Sequence, residues 1–222
     1  MRVTFPHLLL DQAGRFRLSG QSRESQEGLS GAVTTVASLS AHWTAQITFA
    51  LKGEASHLAF QAFMAGMEGN LGRTLVPAVG RYRPVDRDGH GIARGGIAHL
   101  SGAETFEHFG FENAPVPMMV LGAAAALRAT QIKVVNSNTT GLRPGQRFSI
   151  GEGLYEAQLV WIDGSDCWVQ FQPPLRKAAA SGAALVLDHP ACLMQRSDEG
   201  DGGYDERMTR LQSVTLNFRE AI

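Results

Sequence analysis

The stretch Leu142–Arg176 (LRPGQRFSIGEGLYEAQLVWIDGSDCWVQFQPPLR) restricts the fold more than any other part of the chain. It predicts three short strands joined by tight turns. Phe148 and Ile150 alternate with Arg147 and Ser149 in the first run. Leu159 and Trp161 share one side of the second, and Val169 and Phe171 alternate with Trp168, Gln170 and Gln172 in the third. Gly151-Glu152-Gly153 and Asp163-Gly164-Ser165-Asp166 supply the turn residues between them. A meander of this kind is a compact β-module. It lies late in the chain, flanked by segments with a different character.

In the N-terminal half, Trp43, Ala45, Ile47, Phe49 and Leu51 fall on one face and Thr44, Gln46 and Thr48 on the other. Strict period two with one polar face indicates a half-buried antiparallel strand. Upstream, Leu8–Leu18 predicts one or two short strands broken near Asp11–Gly14, and the polar Ser19–Leu29 an exposed loop. Ala32–Ser40 predicts a Val/Thr-rich strand, with Ser40-Ala41-His42 as a hairpin link to the alternating strand. The period then changes. Phe60, Phe63, Met64 and Met67 sit at i, i+3, i+4 and i+7, with Leu58, Ala62 and Ala65 widening the stripe. This predicts one amphipathic helix over Glu54–Glu68, stopped at Gly69-Asn70 and packed across the sheet.

Leu75–Arg83 predicts a strand ended by Pro84. Asp86–Gly102 is rich in Gly, Asp and His and predicts a long excursion. Loops of that length inside a compact domain usually carry function or reach a neighbour. Gly122–Ala129 is Ala-rich and predicts a linker or short helix, Ala183–Asp188 closes the β-module, and Ser197–Gly203 predicts a flexible acidic loop. The last segment alternates again, with Val214, Leu216 and Phe218 against Ser213, Thr215, Asn217 and Arg219. A strand this regular needs a sheet, and the polar-faced N-terminal one is the host it predicts. The chain is therefore expected to leave its first domain, build the module and return. The boundaries are 1–128 with 191–222 for the first domain and 129–190 for the inserted module. The expected fold class is mainly β with one substantial helix: a β-sandwich or barrel-like domain carrying a small OB-like or SH3-like barrel.

Composition narrows the functional classes. The formal net charge is −1, so the whole-chain balance carries no electrostatic footprint of nucleic-acid recognition. Two cysteines, Cys167 and Cys192, make neither a disulfide framework nor a zinc knuckle. Leu8–Leu10 is too short for a signal-peptide core, and no run approaches the roughly 20 apolar residues of a membrane span.

Motifs with chemistry fall short of their requirements. Asp86-Arg87-Asp88-Gly89-His90-Gly91 starts like a calcium loop, but its twelfth position is Ile97, which has no oxygen to offer. Gly89, Gly91 and Gly95 lack the spacing and βαβ setting of a dinucleotide fingerprint. His90, His99 and His108 are too widely spaced for a helical metal pair. Cys192 with His189 suggests a nucleophile pair, though a small buried thiol beside a turn histidine is the plainer reading. Tyr155, Trp161 and Trp168 form either a sugar-binding platform or the module's core. No catalytic, cofactor or metal residues are assigned, and a structural or binding role is expected, not an enzyme.

The order of these elements resembles the distal tail proteins of siphophages, which sit between tail tube and tail tip. Five stretches carry the resemblance: Ser38–Leu51, Glu54–Gly69, Thr74–Pro84, Gly141–Arg176 and Ser213–Ile222, together about two fifths of the chain. It implies a homohexameric ring that contacts the tail tube protein above and the tail-tip hub protein below. A second β domain would project outward toward other tail-tip or receptor-binding proteins. It implies a virion protein at the distal end of the tail, made in the bacterial host cytoplasm, without cofactor, sequence-specific nucleic-acid binding or membrane insertion. The arm Arg83–Phe109 is assigned to contacts between subunits or rings through Arg83, Asp86, Asp88, His90, Arg94 and His99. The inserted module, small beside those of larger members, is assigned to docking or spacing. A tube or terminator subunit, or a carbohydrate-binding or cell-wall-acting tip protein, are the alternatives.

Overall fold

The computed structural model describes residues 1–10, 14–22, 26–27, 33–34, 40–78, 119–136, 139–187, 189–202 and 211–221. The chain divides into two compact units, Met1–Val79 with Ala191–Ile222, and Gly80–Pro190. Among the described residues the protein is mainly β with a single helix.

The first unit contains β1 (Arg2–Val3), β2 (Leu9–Leu10), β3 (Arg15–Ser19), β4 (Gln26–Glu27), β5 (Val33–Thr34), β6 (His42–Lys52), α1 (Glu54–Met67) and β7 (Arg73–Pro77). The second contains β8 (Met119–Leu121), β9 (Gln131–Asn136), β10 (Arg147–Ile150), β11 (Gly153–Asp163), β12 (Asp166–Gln172) and β13 (Ala184–Val186). The chain then returns to the first unit as β14 (Ala191–Arg196) and β15 (Leu211–Glu220).

The main sheet of the first unit runs β1-β7-β14-β15-β6-β2, and β3 also pairs with β6. Only β1 and β7 pair in parallel; the other strands of this sheet pair antiparallel. The alternation of β6 and β15 suits them to pair, because a one-residue slip would turn one apolar face outward: Phe49 opposes Val214, Ile47 opposes Leu216 and Ala45 opposes Phe218. β2 and β3 take the other edge of β6. Leu10 opposes Phe49 and Arg15 opposes Gln46, so the break between them adds two residues on that edge.

Of the strand expected over Ala32–Ser40, the described strand residues Val33–Thr34 do not pair with β6 as the expected hairpin requires. Val33–Thr34 pairs instead with Gln26–Glu27, inside the stretch expected to be an exposed loop. Both edges of β6 are already filled by longer, better-patterned partners. The strand expected over Leu75–Arg83 is β7 and starts earlier, at Arg73.

Helix α1 begins at Gly53, whose φ of 78° suits glycine, and Ser56 Oγ donates to the Gly53 carbonyl at 2.9 Å. It ends at Glu68 in the left-handed region, one residue before the expected stop. A Cβ at Gly72 would lie 2.7 Å from the Met67 backbone, so the chain can fold back against the helix end only with glycine there. Phe60, Phe63 and Met67 are buried, but Leu58 is 56% exposed and Ala62 and Ala65 face out. The buried stripe is thus narrower than expected, because the helix rests on the sheet through a single row of large side chains. Phe49 is the centre of that contact, with ring centroids 5.7 Å from both Phe5 and Phe60.

The second unit is a closed antiparallel barrel, ordered β10-β11-β12-β9-β8-β13. β10, β11 and β12 are the predicted meander, and β13 returns beside β10, a Greek-key arrangement. Six strands close it, one more than the five of an OB-fold. The extra strand is β8, which places the start of the barrel ahead of the boundary expected at 129. Met119 and Leu121 point into its core, and β8 bridges β9 and β13. The segment 122–129, expected to be a linker or helix, is part of the barrel wall. Ala125 is buried and exchanges backbone hydrogen bonds of 2.8 and 2.9 Å with Ala179.

Candidate functional site

The arm residues Arg83, Asp86, Asp88, His90, Arg94 and His99 lie outside the described residues, as does the calcium-like loop. The aromatic candidates separate into two groups. Tyr155 belongs to the barrel core, 1% exposed, with its hydroxyl accepting the Arg176 N–H at 3.1 Å. Trp161 and Trp168 stand on the outer face.

A β-bulge sets this difference. Tyr155 and Ala157 point inward, and strict alternation would send Leu159 and Trp161 inward too. The pairing shifts between Ala157 and Leu159, leaving Gln158 as an extra residue. Beyond it, Val160 packs on the core while Leu159 and Trp161 face out.

Trp161 lies directly opposite Trp168, with ring centroids 6.4 Å apart and planes 14° from parallel. The row continues to Lys133 on β9, whose Nζ lies 2.7 Å from Asp166 Oδ2. The adjoining row is Leu159, Gln170 and Gln131. A third row, Ala184, Val120 and Val135, extends the apolar face across β13, β8 and β9. Leu159 is 51% exposed and Val135 48%. The barrel core is filled by other side chains, so this apolar face with its two half-buried tryptophans lies on the outside. The indoles supply broad apolar area. The flanking amides and the Lys133–Asp166 pair supply hydrogen-bonding groups at its edge.

The turn foretells the Trp–Trp pairing. A two-residue loop, Gly164-Ser165, places Asp163 opposite Asp166 and therefore Trp161 opposite Trp168. Which face they occupy depends on Gln158, and no turn residue announces that bulge.

Cys167 and Cys192 are both free thiols. Cys192 is fully buried on the inner side of β14, and its thiol lies 3.8 Å from the Leu193 carbonyl. Cys167 sits at one end of the barrel, where burial raises its pKa and so disfavours the reactive thiolate. No group of three or more His, Cys, Asp or Glu side chains converges on a metal position among the described residues. No described helix is long and apolar enough to cross a membrane. Nor is the acidic segment after β14 a free loop over 197–202. Arg196 holds it through the carbonyls of Glu199 and Asp201, and Asp201 Oδ2 accepts the Asn217 N–H at 3.0 Å. Compared with known proteins, the chain matches no family model and no curated sequence.

Proposed function

We propose that this chain is a ring-forming structural subunit of a siphophage tail, the distal adaptor between tail tube and tail-tip hub. One observation carries the reading: a sheet completed by the chain's last strand, interrupted by a separate barrel whose outer face is apolar and aromatic. In the adaptor, the sheet unit makes the homohexameric ring through a head-to-tail contact that closes. The barrel docks tail-tip proteins through Trp161, Trp168 and the neighbouring Leu159 and Val135. The arm between Arg83 and Phe109 reaches the adjacent subunit or ring.

Native mass of the purified protein, with negative-stain images of the same sample, tests the ring. A hexamer with a central hole is the expected result. A protein that stays monomeric both alone and mixed with its tube and hub partners ends the adaptor reading.

A second reading rests on the near-parallel indoles and the glutamines beside them, a pairing suited to the apolar face and hydroxyls of a sugar ring. The two readings separate in one comparison. Trp168→Ala is expected to weaken capture of the hub protein by about tenfold or more, the loss typical of an interface hot spot. Cell-wall glycan binding by the parent protein, abolished by Trp168→Ala while hub capture persists, would favour the lectin instead.

A further inference from the structure

A groove of about 390 Å³ lies on the outward face of the first unit's sheet. Its form follows from the strand order. β6 is the floor, with β3 on one side and β15 on the other. Arg17, Thr44 and Arg219 make one cross-strand row, and Arg15, Gln46 and Asn217 the next. Arg15 and Arg17 line the groove from β3, and Arg219 stands beside it on β15, two strand spacings or about 10 Å from Arg17. Ser197 lies beyond Asn217 on the side away from β3, its N–H donating to the Asn217 carbonyl at 3.0 Å.

The charge on this face is one-sided. The described outward positions of β3, β6 and β15 carry Arg, Ser, His, Thr, Gln, Ala, Lys and Asn, and no carboxylate. Among the described residues, no acidic side chain pairs with Arg15, Arg17 or Arg219. The adjacent Asp201 uses its Oδ2 to accept the Asn217 backbone N–H. A formal charge of −1 over the whole chain does not reveal this face.

We propose that this groove binds the phosphodiester backbone of duplex nucleic acid without regard to sequence. Guanidinium forks match phosphate oxygens, and Arg15 and Arg17 repeat at about 7 Å along β3. The groove offers the hydroxyls of Thr44 and Ser197 and the amides of Gln46 and Asn217, with the buried Ala45 and Phe218 beneath them and no outward aromatic ring to stack an unpaired base. Contacts of this kind position a duplex and read no bases.

A fluorescent duplex of about 20 base pairs and mixed sequence, titrated with the full chain at several salt concentrations, tests the proposal. Three arginine contacts predict a log K against log salt slope near −2.7 per subunit. Replacing Arg15, Arg17 and Arg219 together with glutamine is expected to weaken binding at least tenfold in low salt and flatten the slope. Arg17→Gln alone should reduce the slope by about 0.9, and the triple lysine variant should retain most of the affinity. No duplex binding in low salt overturns the proposal, as does a triple glutamine variant that binds like the parent. Polyglutamate displacing the duplex at equal or lower charge concentration also overturns it, in favour of an acidic polypeptide. The titration is read per subunit, so its outcome is independent of the ring and of the native-mass measurement.

Discussion

Phe148→Ala is expected to destabilise the protein by about 3–5 kcal/mol in urea unfolding, the usual cost of deleting a fully buried aromatic ring. Phe148 is 0% exposed and belongs to a trio with Tyr155 and Phe171. Its centroid lies 5.7 Å from each partner, and theirs lie 5.2 Å apart. The barrel is closed, so its strands cannot move in freely to fill the void, and the cavity cost should be near the top of the range. Tyr155→Phe makes the contrast. It keeps the ring but leaves the Arg176 N–H without the hydroxyl it donates to, at a cost of about 1–2 kcal/mol. A Phe148→Ala loss below about 1 kcal/mol would mean that this trio is not the packing centre of the barrel.

Arg196→Met is expected to cost about 2–4 kcal/mol and to open the turn after β14 to proteases. Arg196 is 4% exposed, on the inner side of its strand. Its guanidinium donates to the carbonyls of Gly69, Glu199 and Asp201, tying the helix end to the turn over 197–202. Hydrogen bonds from a charged donor contribute about 1.5–3 kcal/mol each. Removing a buried charge offsets part of that loss, as does its Nε, which has no partner. Methionine preserves the apolar stem, so the effect reports the lost fork and the stranded carbonyls. Lysine should fail almost as badly, because one ammonium cannot span three acceptors held by a planar fork. Unchanged stability together with unchanged cleavage over 197–202 would reduce Arg196 to a spectator.

What the sequence made legible were the elements long enough to show a period. β6 and β15 alternate over ten or so residues, and that pattern fixes both their existence and their mutual register. Phe60, Phe63 and Met67 identify the helix face. The meander is readable because its turns carry glycine where φ is positive, at Gly151 and Gly164. β8 and β4 were not readable, since two or three residues contain no period; β5 falls within the strand expected over Ala32–Ser40, but its partner was not foreseen. At the candidate site, the pairing of Trp161 with Trp168 was implicit in the Gly164-Ser165 turn. Their outward orientation was not, because Gln158 changes the phase of β11 without a glycine or proline to signal it. The arginine groove was hidden for another reason. Arg15, Arg17 and Arg219 are some two hundred residues apart at the extremes, and only strand pairing gathers them.

The sheet order has a consequence for how the chain comes off the ribosome. β14 and β15 occupy the middle of the sheet, yet they are the last strands made. β7 and β6, which flank them, emerge early and wait. At about 5–20 residues per second, the interval between Pro77 and Ala191 lasts roughly 6–23 s. The barrel is contiguous and can close within that time. The older half of the sheet must meanwhile hold two unfilled edges apart, with α1 as cover for its apolar side. A nascent chain stalled before Ala191 would carry a finished barrel attached to a sheet without its centre.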